Sequence, residues 1–500
     1  MDIRGNVPAV DGEPVPAVPE FGARPVLVVA AVLIVVQLLL AGRYGFHRDE
    51  LYFMVAGRHL AWGYTDQPPL TPLLARVSVD LFGATPTGLR VVPALLGGLD
   101  VLLVALLARE LGGGRPAQRL AAVGAACSAI VLGVGHMLST VSFDLVAWLA
   151  LALLTLRLLR TGERRWWLAI GAATGLALLN KDLVVLLVPA LVPAVWVLGP
   201  RRVLRGWWPP AGVLVALAVA APNLWWEARH GWPELTVAGG ISGQDGLANR
   251  ITFVPMQLLY LSPVLVPVCL AGLRRLWSAP ELRWARAFAV GYPVVCLLVL
   301  VSGGKPYYAL PLLLVPMAAG CEPRVRRPLR RFALWLAFGA LLNAVITLPV
   351  LPARALPAVN WIYPEQGAQL GWPRLVAAVG QGWAQLPATD RSRAVVFTAN
   401  YGEAGAIAQY GARYGLPEPY SGHMSFADWG PPPDGADGPV LVVEPAGPSG
   451  LTRAFTGCRQ VAVADNGVGV ATDDQDAAVL LCTGTVEPWS KLWPHLRHYY

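Results

Sequence analysis

The stretch HRDELY, residues 47–52, lies just past the first long apolar run of the chain, and the polar turn YTDQPPL, residues 64–70, follows it closely. The apolar run itself, residues 25–42, is interrupted only by Gln37. Ionisable groups at the edge of a hydrocarbon layer are costly, and they commonly mark chemistry or binding at that edge. The two polar stretches therefore predict a functional site at a membrane surface, carried by membrane helices.

The composition indicates an integral membrane protein. Of the 500 residues, 55% are hydrophobic and 14% are charged, with a mean hydropathy of +0.51, whereas soluble domains are about a quarter charged. The net charge of +8 does not indicate nucleic-acid binding, because the basic residues fall in clusters between apolar runs. We expect residues 1–24 to be a disordered cytoplasmic tail without a cleavable signal peptide, and residues 25–42 to be a signal-anchor helix.

Eleven apolar segments are candidates for membrane spans, since a hydrocarbon core of about 30 Å needs roughly 20 residues of helix. The predicted spans are residues 25–42, 85–108, 117–135, 140–158, 165–180, 183–199, 207–222, 252–273, 285–301, 306–321 and 331–351.

The loops between these spans alternate between arginine-rich and arginine-poor, and the positive-inside rule assigns the arginine-rich set to the cytoplasm. The N-terminus is then cytoplasmic, and loops 43–84 and 223–251 lie outside together with the whole C-terminal segment. The arginine-rich loops carry Arg109, Arg115, Arg119, Arg157, Arg160, Arg164, Arg165, Arg201, Arg202, Arg205, Arg274, Arg275, Arg283, Arg286, Arg324, Arg326, Arg327, Arg330 and Arg331.

The first outer loop, residues 43–84, has helical apolar spacing at residues 50–60 and 72–77. Such amphipathic stretches beside a membrane predict helices lying in its interface. We therefore predict a transmembrane catalytic domain over residues 25–355 that includes this loop.

The composition changes from about residue 385, where short β-branched runs alternate with turns. This pattern predicts a linker over residues 356–390 and a small extracytoplasmic α/β domain over residues 391–500. The expected strands are residues 393–399, 439–444, 459–464 and 478–482, with a helix at residues 401–414.

Two features of this segment are left open. The sequence NYGE, residues 400–403, comes where a strand meets a helix N-terminus, a place where anions bind, although a plain turn is the favoured interpretation. Cys458 opens one predicted strand and Cys482 ends another on the oxidising side, so a disulfide is one of two alternatives. The other four cysteines are interpreted as packing residues.

The adjacent carboxylates Asp49 and Glu50 cannot point the same way on a helix. One is expected to face a cavity while the other caps the helix, or both serve the helix start. Asp144, at the outer end of the fourth span, requires a polar cavity or a partner. Lys181 and Asp182 are interpreted as an ion pair.

Lys305 lies in SGGKPYY, residues 302–308, at the outer end of the tenth span. A cation in this setting suits an anionic head group such as a phosphate, and snorkelling to the interface is the alternative. Carboxylates and cations on one outer side suit attack on a phosphate-linked group presented from the lipid. A carboxylate would act as general base on a hydroxyl or amine, and cations would hold the departing phosphate.

These pieces together resemble the family-39-type glycosyltransferases of the GT-C membrane fold, which include protein O-mannosyltransferases and the aminoarabinose transferase that modifies lipid A. The resemblance extends over nearly the whole chain, and it rests on the order and spacing of several short motifs. They are RDE at residues 48–50, YTDQPPL at 64–70, Asp144, HGWP at 230–233, QLLYLSP at 257–263, KPYYALP at 305–311, NYGEAGA at 400–406, SGH at 421–423 and WGP at 429–431.

The resemblance implies a polyprenyl-phosphate-linked sugar donor and an inverting transfer to a lipid, glycan or protein acceptor at the outer face of the plasma membrane. Asp49 takes the role of the family's catalytic base, and Asp144 that of a second, supporting aspartate.

The family's turn often reads Glu-Lys-Pro, where the lysine touches the donor phosphate, but here it reads Asp66-Gln67-Pro68. Phosphate binding is therefore assigned to Arg48 and Lys305. The remaining site candidates are Gln67 and Tyr308 beside the phosphate, and Glu50, Asp66 and Tyr52 as supporting residues. A divalent metal is reported for some relatives; no local ligand motif is present, and the metal stays an open alternative with Asp66 and His230 as candidate ligands.

The alternative to an enzyme is a polytopic transporter or lipid flippase. Transporters often carry inverted repeats and polar residues at mid-membrane. No clear repeat is visible in this sequence, and its ionisable residues gather at one end of the helices, so an enzyme is favoured over a transporter and over a non-catalytic scaffold.

Overall fold

The computed structural model describes residues 17–446 and 450–499. This part of the chain divides into two compact units. The first unit comprises the described part of Met1–Leu39 with Val92–Gly231 and Ile241–Ala344. The second unit comprises Leu40–Val91, Trp232–Gly240 and the described part of Val345–Tyr500. Most of the predicted N-terminal tail, residues 1–16, lies outside the described residues.

The first unit is built almost entirely of apolar helices, and each of the eleven predicted spans overlaps at least one helix of the structure. The long helices are Ala23–Leu40, Val91–Glu110, Arg115–Cys127, Ala129–His136, Thr140–Thr161, Trp166–Leu178, Leu187–Leu198, Trp208–His230, Gly246–Leu261, Val266–Ser278, Ala287–Ser302, Leu310–Val325 and Arg330–Thr347.

Five helices of the described chain are long and apolar enough to cross a membrane, and up to seven if each bent pair counts as one span. Shorter apolar helices accompany them. The chain is therefore a multi-pass membrane protein. The five helices are Ala23–Leu40, Pro86–Glu110, Thr140–Thr161, Trp208–His230 and Arg330–Thr347.

Two predicted spans are not straight helices. The helix over residues 117–135 bends by 58° at Ser128, and that over residues 252–273 bends by 83° at Ser262. Ser262 has a φ of 105°, outside the helical region, and Pro263 follows it. Since proline cannot donate the next helical hydrogen bond, the chain starts a new helical turn there.

The predicted outer loop 223–251 is also largely helical. The helix Trp208–His230 runs well past the predicted end of its span, and it stops where Gly231 adopts the left-handed conformation with a φ of 76°. Glycine favours this conformation at helix C-termini. A further helix, Pro233–Gln244, follows directly.

The second unit contains the first outer loop together with the C-terminal segment, which the sequence assigned to separate domains. Helices are present where apolar spacing predicted them in the loop, at Arg48–Ala56 and Leu70–Phe82. We call Arg48–Ala56 the first-loop helix. The other helices are the short Pro86–Leu89, then Trp372–Ala384, Tyr401–Tyr410, Ser425–Asp428 and Trp489–Leu496.

The C-terminal segment has a mixed five-stranded sheet, and each predicted strand is present in it. In chain order the strands are β1 (Val395–Thr398), β2 (Tyr420–Ser421), β3 (Val440–Glu444), β4 (Arg459–Ala464) and β5 (Ala477–Cys482). Their order in the sheet is β2-β1-β3-β5-β4, with β1 parallel to β2 and β3 and the remaining pairs antiparallel.

One face of this sheet packs against the last helix, Trp489–Leu496, through buried apolar side chains such as Phe397, Trp489 and Trp493. A disulfide joins Cys458 to Cys482, which is the pairing that the sequence left open. The predicted helix at residues 401–414 is shorter, Tyr401–Tyr410, and continues as a single 3-10 turn. We call it the Tyr401 helix.

Candidate functional site

The first-loop helix begins with a pair of reciprocal caps. The His47 ring accepts a hydrogen bond from the backbone amide of Asp49 (3.2 Å), and the Glu50 carboxylate accepts one from the backbone amide of His47 (2.8 Å). Acidic residues in the first turn also interact favourably with the helix dipole. The capping box fixes the directions in which Asp49 and Glu50 leave the helix.

Glu50 is fully buried and bound to Arg90. The Arg90 Nη2 and Nε atoms lie 2.7 and 2.9 Å from the two Glu50 carboxylate oxygens, and Arg90 also donates to the carbonyls of Ala41 (2.7 Å) and Gly45 (2.9 Å). Both carboxylate oxygens of Glu50 accept hydrogen bonds, so Glu50 and Arg90 link the first-loop helix to the chain at Ala41 and Gly45. Arg90 was not singled out from the sequence, where it is the one basic residue within the predicted span 85–108.

Asp49, in contrast, keeps 32% of its side chain exposed. Its Oδ1 atom accepts a hydrogen bond of 2.8 Å from the Tyr401 hydroxyl, and the Arg48 Nε lies 3.7 Å from the same oxygen. The His47 Nδ1 is 3.8 Å from Oδ2. The two adjacent carboxylates thus have different partners, and only Asp49 is partly exposed to solvent.

Tyr52 lies one turn along the same helix face as Asp49, and its hydroxyl donates to Asp66 Oδ1 at 2.5 Å. Burial raises the pKa of Asp66 to about 7, the Tyr52 hydrogen bond opposes this rise, and the carboxylates of Asp49 and Asp428 add to it. Near neutral pH, Asp66 is therefore only partly ionised beside Asp49.

The turn that carries Asp66 is held by the C-terminal segment. The Thr65 amide donates to Ser425 Oγ (3.0 Å), and the Thr65 hydroxyl donates to Asp428 Oδ2 (2.5 Å). Gln67 is 2% exposed, and neither polar atom of its amide has a hydrogen-bond partner in the described part of the chain. A buried amide without hydrogen-bond partners costs free energy, so a ligand that hydrogen-bonds to the Gln67 side chain would be bound favourably.

Two other polar residues near Asp49 already have partners. The Arg48 Nη1 atom forms an ion pair of 2.8 Å with Asp473, which offsets much of the charge that was assigned to phosphate binding. The His47 Nε2 atom lies 2.8 Å from Glu365. Burial lowers the pKa of His47, but Asp49 and Glu365 outweigh that effect, so the pKa is raised overall.

Asp144 belongs to the first unit, in the first turns of the helix Thr140–Thr161. It is buried, and it accepts a hydrogen bond from the Trp148 indole at 3.1 Å. Lys181 is near enough to act on its charge. Lys181 was interpreted as the partner of Asp182, but its Nζ atom lies over aromatic rings, 5.4 Å from Tyr307 and 5.0 Å from Tyr308.

Lys305 and Tyr308 lie at the short 3-10 turn Pro306–Ala309, which Lys305 precedes as the N-cap. Lys305 is partly buried; its carbonyl oxygen accepts a hydrogen bond from the Tyr308 amide (3.1 Å), but its side-chain ammonium has no hydrogen bond or ion pair within residues 17–446 and 450–499. The Tyr308 ring packs edge-on against Tyr307 at 4.9 Å. The first unit therefore brings together Asp144, Lys181 and Tyr308.

The candidate metal ligand His230 has no part in either cluster. Its ring stacks on Trp226, and its Nδ1 atom lies 2.8 Å from the Trp226 carbonyl oxygen. Nowhere in the described chain do three or more His, Cys, Asp or Glu side chains form a group that could hold a metal ion. These residues do not fit a metal centre, so we derive no step through one.

Known proteins match both the sequence and the architecture. Residues 66–226 match the family described as dolichyl-phosphate-mannose-protein mannosyltransferase. The crystal structure of ArnT from Cupriavidus metallidurans bound to undecaprenyl phosphate superposes with a TM-score of 0.58 at 16% identity, covering 91% of this chain and 97% of that one. The chain has the GT-C glycosyltransferase fold.

Two curated relatives are undecaprenyl phosphate-alpha-4-amino-4-deoxy-L-arabinose arabinosyl transferases. The enzyme from Aeromonas salmonicida is 28% identical over 66% of this chain and 63% of its own length. Transferase 1 from Pseudomonas fluorescens is 27% identical over 57% of this chain and 54% of its own length. The chain thus spans between about half and two thirds of the curated relatives that it matches.

Proposed function

We propose that this GT-C protein is a glycosyltransferase that moves a sugar from a polyprenyl-phosphate-linked donor to an acceptor hydroxyl or amine at the extracytoplasmic face. One observation carries the proposal: Asp49 is a partly exposed carboxylate at a rigid helix start, while its neighbour Glu50 is fully occupied by Arg90. The relatives' names support a polyprenyl-phosphate donor, and the arginine-rich loops support the orientation.

In the proposed reaction, Asp49 accepts the proton of the acceptor group as that atom bonds to the anomeric carbon of the sugar. The bond from this carbon to the phosphate oxygen breaks, and the polyprenyl phosphate leaves with the electron pair. A single displacement of this kind inverts the anomeric configuration. General-base catalysis by a positioned side chain contributes about 10²–10⁴-fold to the rate.

The charge on the departing phosphate needs donors and cations. In the second unit, we propose that the Gln67 side-chain amide and the Arg48 guanidinium stabilise the departing phosphate. In the first unit, Lys305 and Tyr308 are proposed for the same function, and Lys181 joins them because it lies against Tyr308. Asp144, near Lys181, is proposed to hold that lysine in place.

The test is sugar transfer from labelled polyprenyl-phosphate sugars, including the 4-amino-4-deoxy-L-arabinose donor of the relatives, by purified protein in lipid. We expect Asp49→Asn to lower kcat by at least about 10²-fold, with donor binding unchanged. Asp80→Asn is the matched control, because Asp80 is an exposed carboxylate of the same loop that forms an ion pair with Arg76. Equal rates for wild type and Asp49→Asn would overturn the mechanism, and retained sugar movement without transfer would favour a flippase.

A further inference from the structure

The second unit brings the Tyr401 hydroxyl to Asp49, although 352 residues separate the two in the chain. Burial and the Asp49 carboxylate raise the pKa of Tyr401, so the hydroxyl keeps its proton and acts as the donor. Tyr401 bonds only one carboxylate oxygen of Asp49, Oδ1, while the other, Oδ2, lies 3.8 Å from the His47 Nδ1. No other residue of the C-terminal segment donates a hydrogen bond to Asp49 within the described ranges.

The position of Tyr401 is fixed by the start of its helix. Asn400 is the N-cap, and its side chain accepts from the Glu403 amide (2.9 Å) while Glu403 accepts from the Asn400 amide (3.2 Å). Asn400 also donates to Asp474 (2.9 Å). Strand β1 ends at Thr398, three residues before Tyr401, so Tyr401 lies at a capped junction between a buried strand and a helix.

Rings on both sides hold the Tyr401 side chain. Its centroid lies 5.0 Å from that of Tyr52 and 4.9 Å from that of His423, which in turn stacks on His498 at 4.6 Å. The His423 Nδ1 accepts a long hydrogen bond of 3.4 Å from the Tyr401 amide. Burial, His498 and Arg48 lower the pKa of His423 to about 3, so this ring is neutral and able to accept.

Close contact between two helices makes the Asp49 bond possible. A Cβ atom on Gly405 would lie 2.8 Å from the Leu51 Cβ, and one on Gly402 would lie 3.1 Å from the Arg48 Cβ. Both glycines face the first-loop helix from one side of the Tyr401 helix, since they are three residues apart. Larger residues there would force the helices apart and lengthen the bond to Asp49.

We infer that Tyr401 is a positioning residue for the transfer reaction: its hydroxyl holds the Asp49 carboxylate in the orientation needed to accept the acceptor's proton. The inference rests on the proposed function, in which Asp49 is the base. It gives the C-terminal α/β segment a part in catalysis, beyond any selection of the acceptor. The strand-to-helix junction NYGE, for which a plain turn was the favoured interpretation, then serves the site.

The experiment measures steady-state transfer by Tyr401→Phe, which removes the hydroxyl but keeps the ring contacts. A hydrogen bond to a charged group is strong enough that its loss should lower kcat by about 10- to 100-fold. The KM for the donor should stay within about twofold. Tyr410→Phe, the same change at the other end of the helix, should leave kcat unchanged.

A double-mutant cycle separates positioning from a general structural effect. Asp49→Glu moves the carboxylate by one methylene, which disrupts its hydrogen bond with Tyr401. Adding Tyr401→Phe to Asp49→Glu should therefore lower kcat by less than about twofold. Equal losses in both backgrounds would overturn the inference. Gly405→Ala keeps the Asp49 and Tyr401 side chains but separates the two helices, so it should lower kcat as Tyr401→Phe does. It replaces Tyr401→Phe in the test if that variant does not fold.

The outcomes distinguish the two proposals. A normal kcat for Tyr401→Phe with an inactive Asp49→Asn would overturn the positioning role alone. Full activity of Asp49→Asn would overturn the proposed function, whatever Tyr401→Phe does.

Discussion

At the residue scale, adjacent side chains of the same chemistry have unlike environments. Glu50 is buried against Arg90, and Asp49 is partly exposed beside Tyr401. The sequence predicts that the two carboxylates differ, because neighbours on a helix point in different directions. It cannot predict which of the two is buried, because that depends on Arg90 and Tyr401. Only the tertiary fold brings these two residues close to the helix.

A pH effect on stability is expected from Asp66, whose pKa burial raises to about 7 from an ordinary value of 3.8. The folded state then keeps the proton to higher pH than the unfolded chain does, so stability falls as the pH rises from about 4 to about 7. Asp66→Asn keeps the acceptor for Tyr52 but cannot ionise.

We therefore expect wild type to lose more unfolding free energy than Asp66→Asn between about pH 5 and pH 8, by on the order of 1 kcal/mol or more. Tryptophan fluorescence during thermal unfolding in detergent measures this difference. Parallel pH profiles for the two proteins would contradict the expectation.

At the element scale, Arg90 connects three parts of the second unit: the first-loop helix at Glu50, and the chain at Ala41 and at Gly45. A buried ion pair that loses one partner leaves an uncompensated charge, which costs about 3–5 kcal/mol. Arg90→Met should lower the free energy of unfolding by this amount.

The matched control for Arg90→Met is Arg76→Met, because Arg76 forms an exposed pair with Asp80 in the same loop. Such a pair contributes at most about 1 kcal/mol. Thermal shifts of the purified variants compare the two substitutions. Similar destabilisation by both would show that the buried Arg90–Glu50 pair contributes no more to stability than the exposed Arg76–Asp80 pair.

The elements themselves were largely predictable from the sequence. Apolar runs of sufficient length predicted the helices of the first unit, and runs rich in valine predicted strands such as β1 and β3. The bends at Ser128 and Ser262 could not be predicted, because a single residue outside the helical conformation does not interrupt the apolar pattern. The helix Pro233–Gln244 was missed since its sequence is small and polar.

The candidate site was predictable in its parts but not in its connections. The motifs at residues 47–52 and 64–67 were identified as candidates from their ionisable residues. The structure adds Arg90 and Tyr401 in the second unit and, separately, Lys181 against Tyr308 in the first unit. Their signals were present as a lone arginine in an apolar run, a capped tyrosine and a lysine beside an aspartate. Without tertiary distances, each of these is ambiguous.

At the scale of the whole molecule, the proposed orientation has a direct test in the native cysteines. The Cys458–Cys482 disulfide belongs to the segment assigned to the oxidising side. After mild reduction, a membrane-impermeant maleimide should label these cysteines in right-side-out vesicles and far less in inverted ones. Cys458→Ser/Cys482→Ser should abolish the signal, which controls for the four free cysteines, and preferential labelling in inverted vesicles would reverse the orientation.

The bond between Tyr401 and Asp49 also has a consequence for biosynthesis. Asp49 emerges from the ribosome early, whereas Tyr401, Asp428 and Asp473, which hold the residues around it, are synthesised near the end of translation. A nascent or prematurely terminated chain carries the acidic helix without the residues that orient it. If Asp49 is the base that we propose, such incomplete chains should be poor catalysts, and transfer activity should appear only once the C-terminal segment has been made.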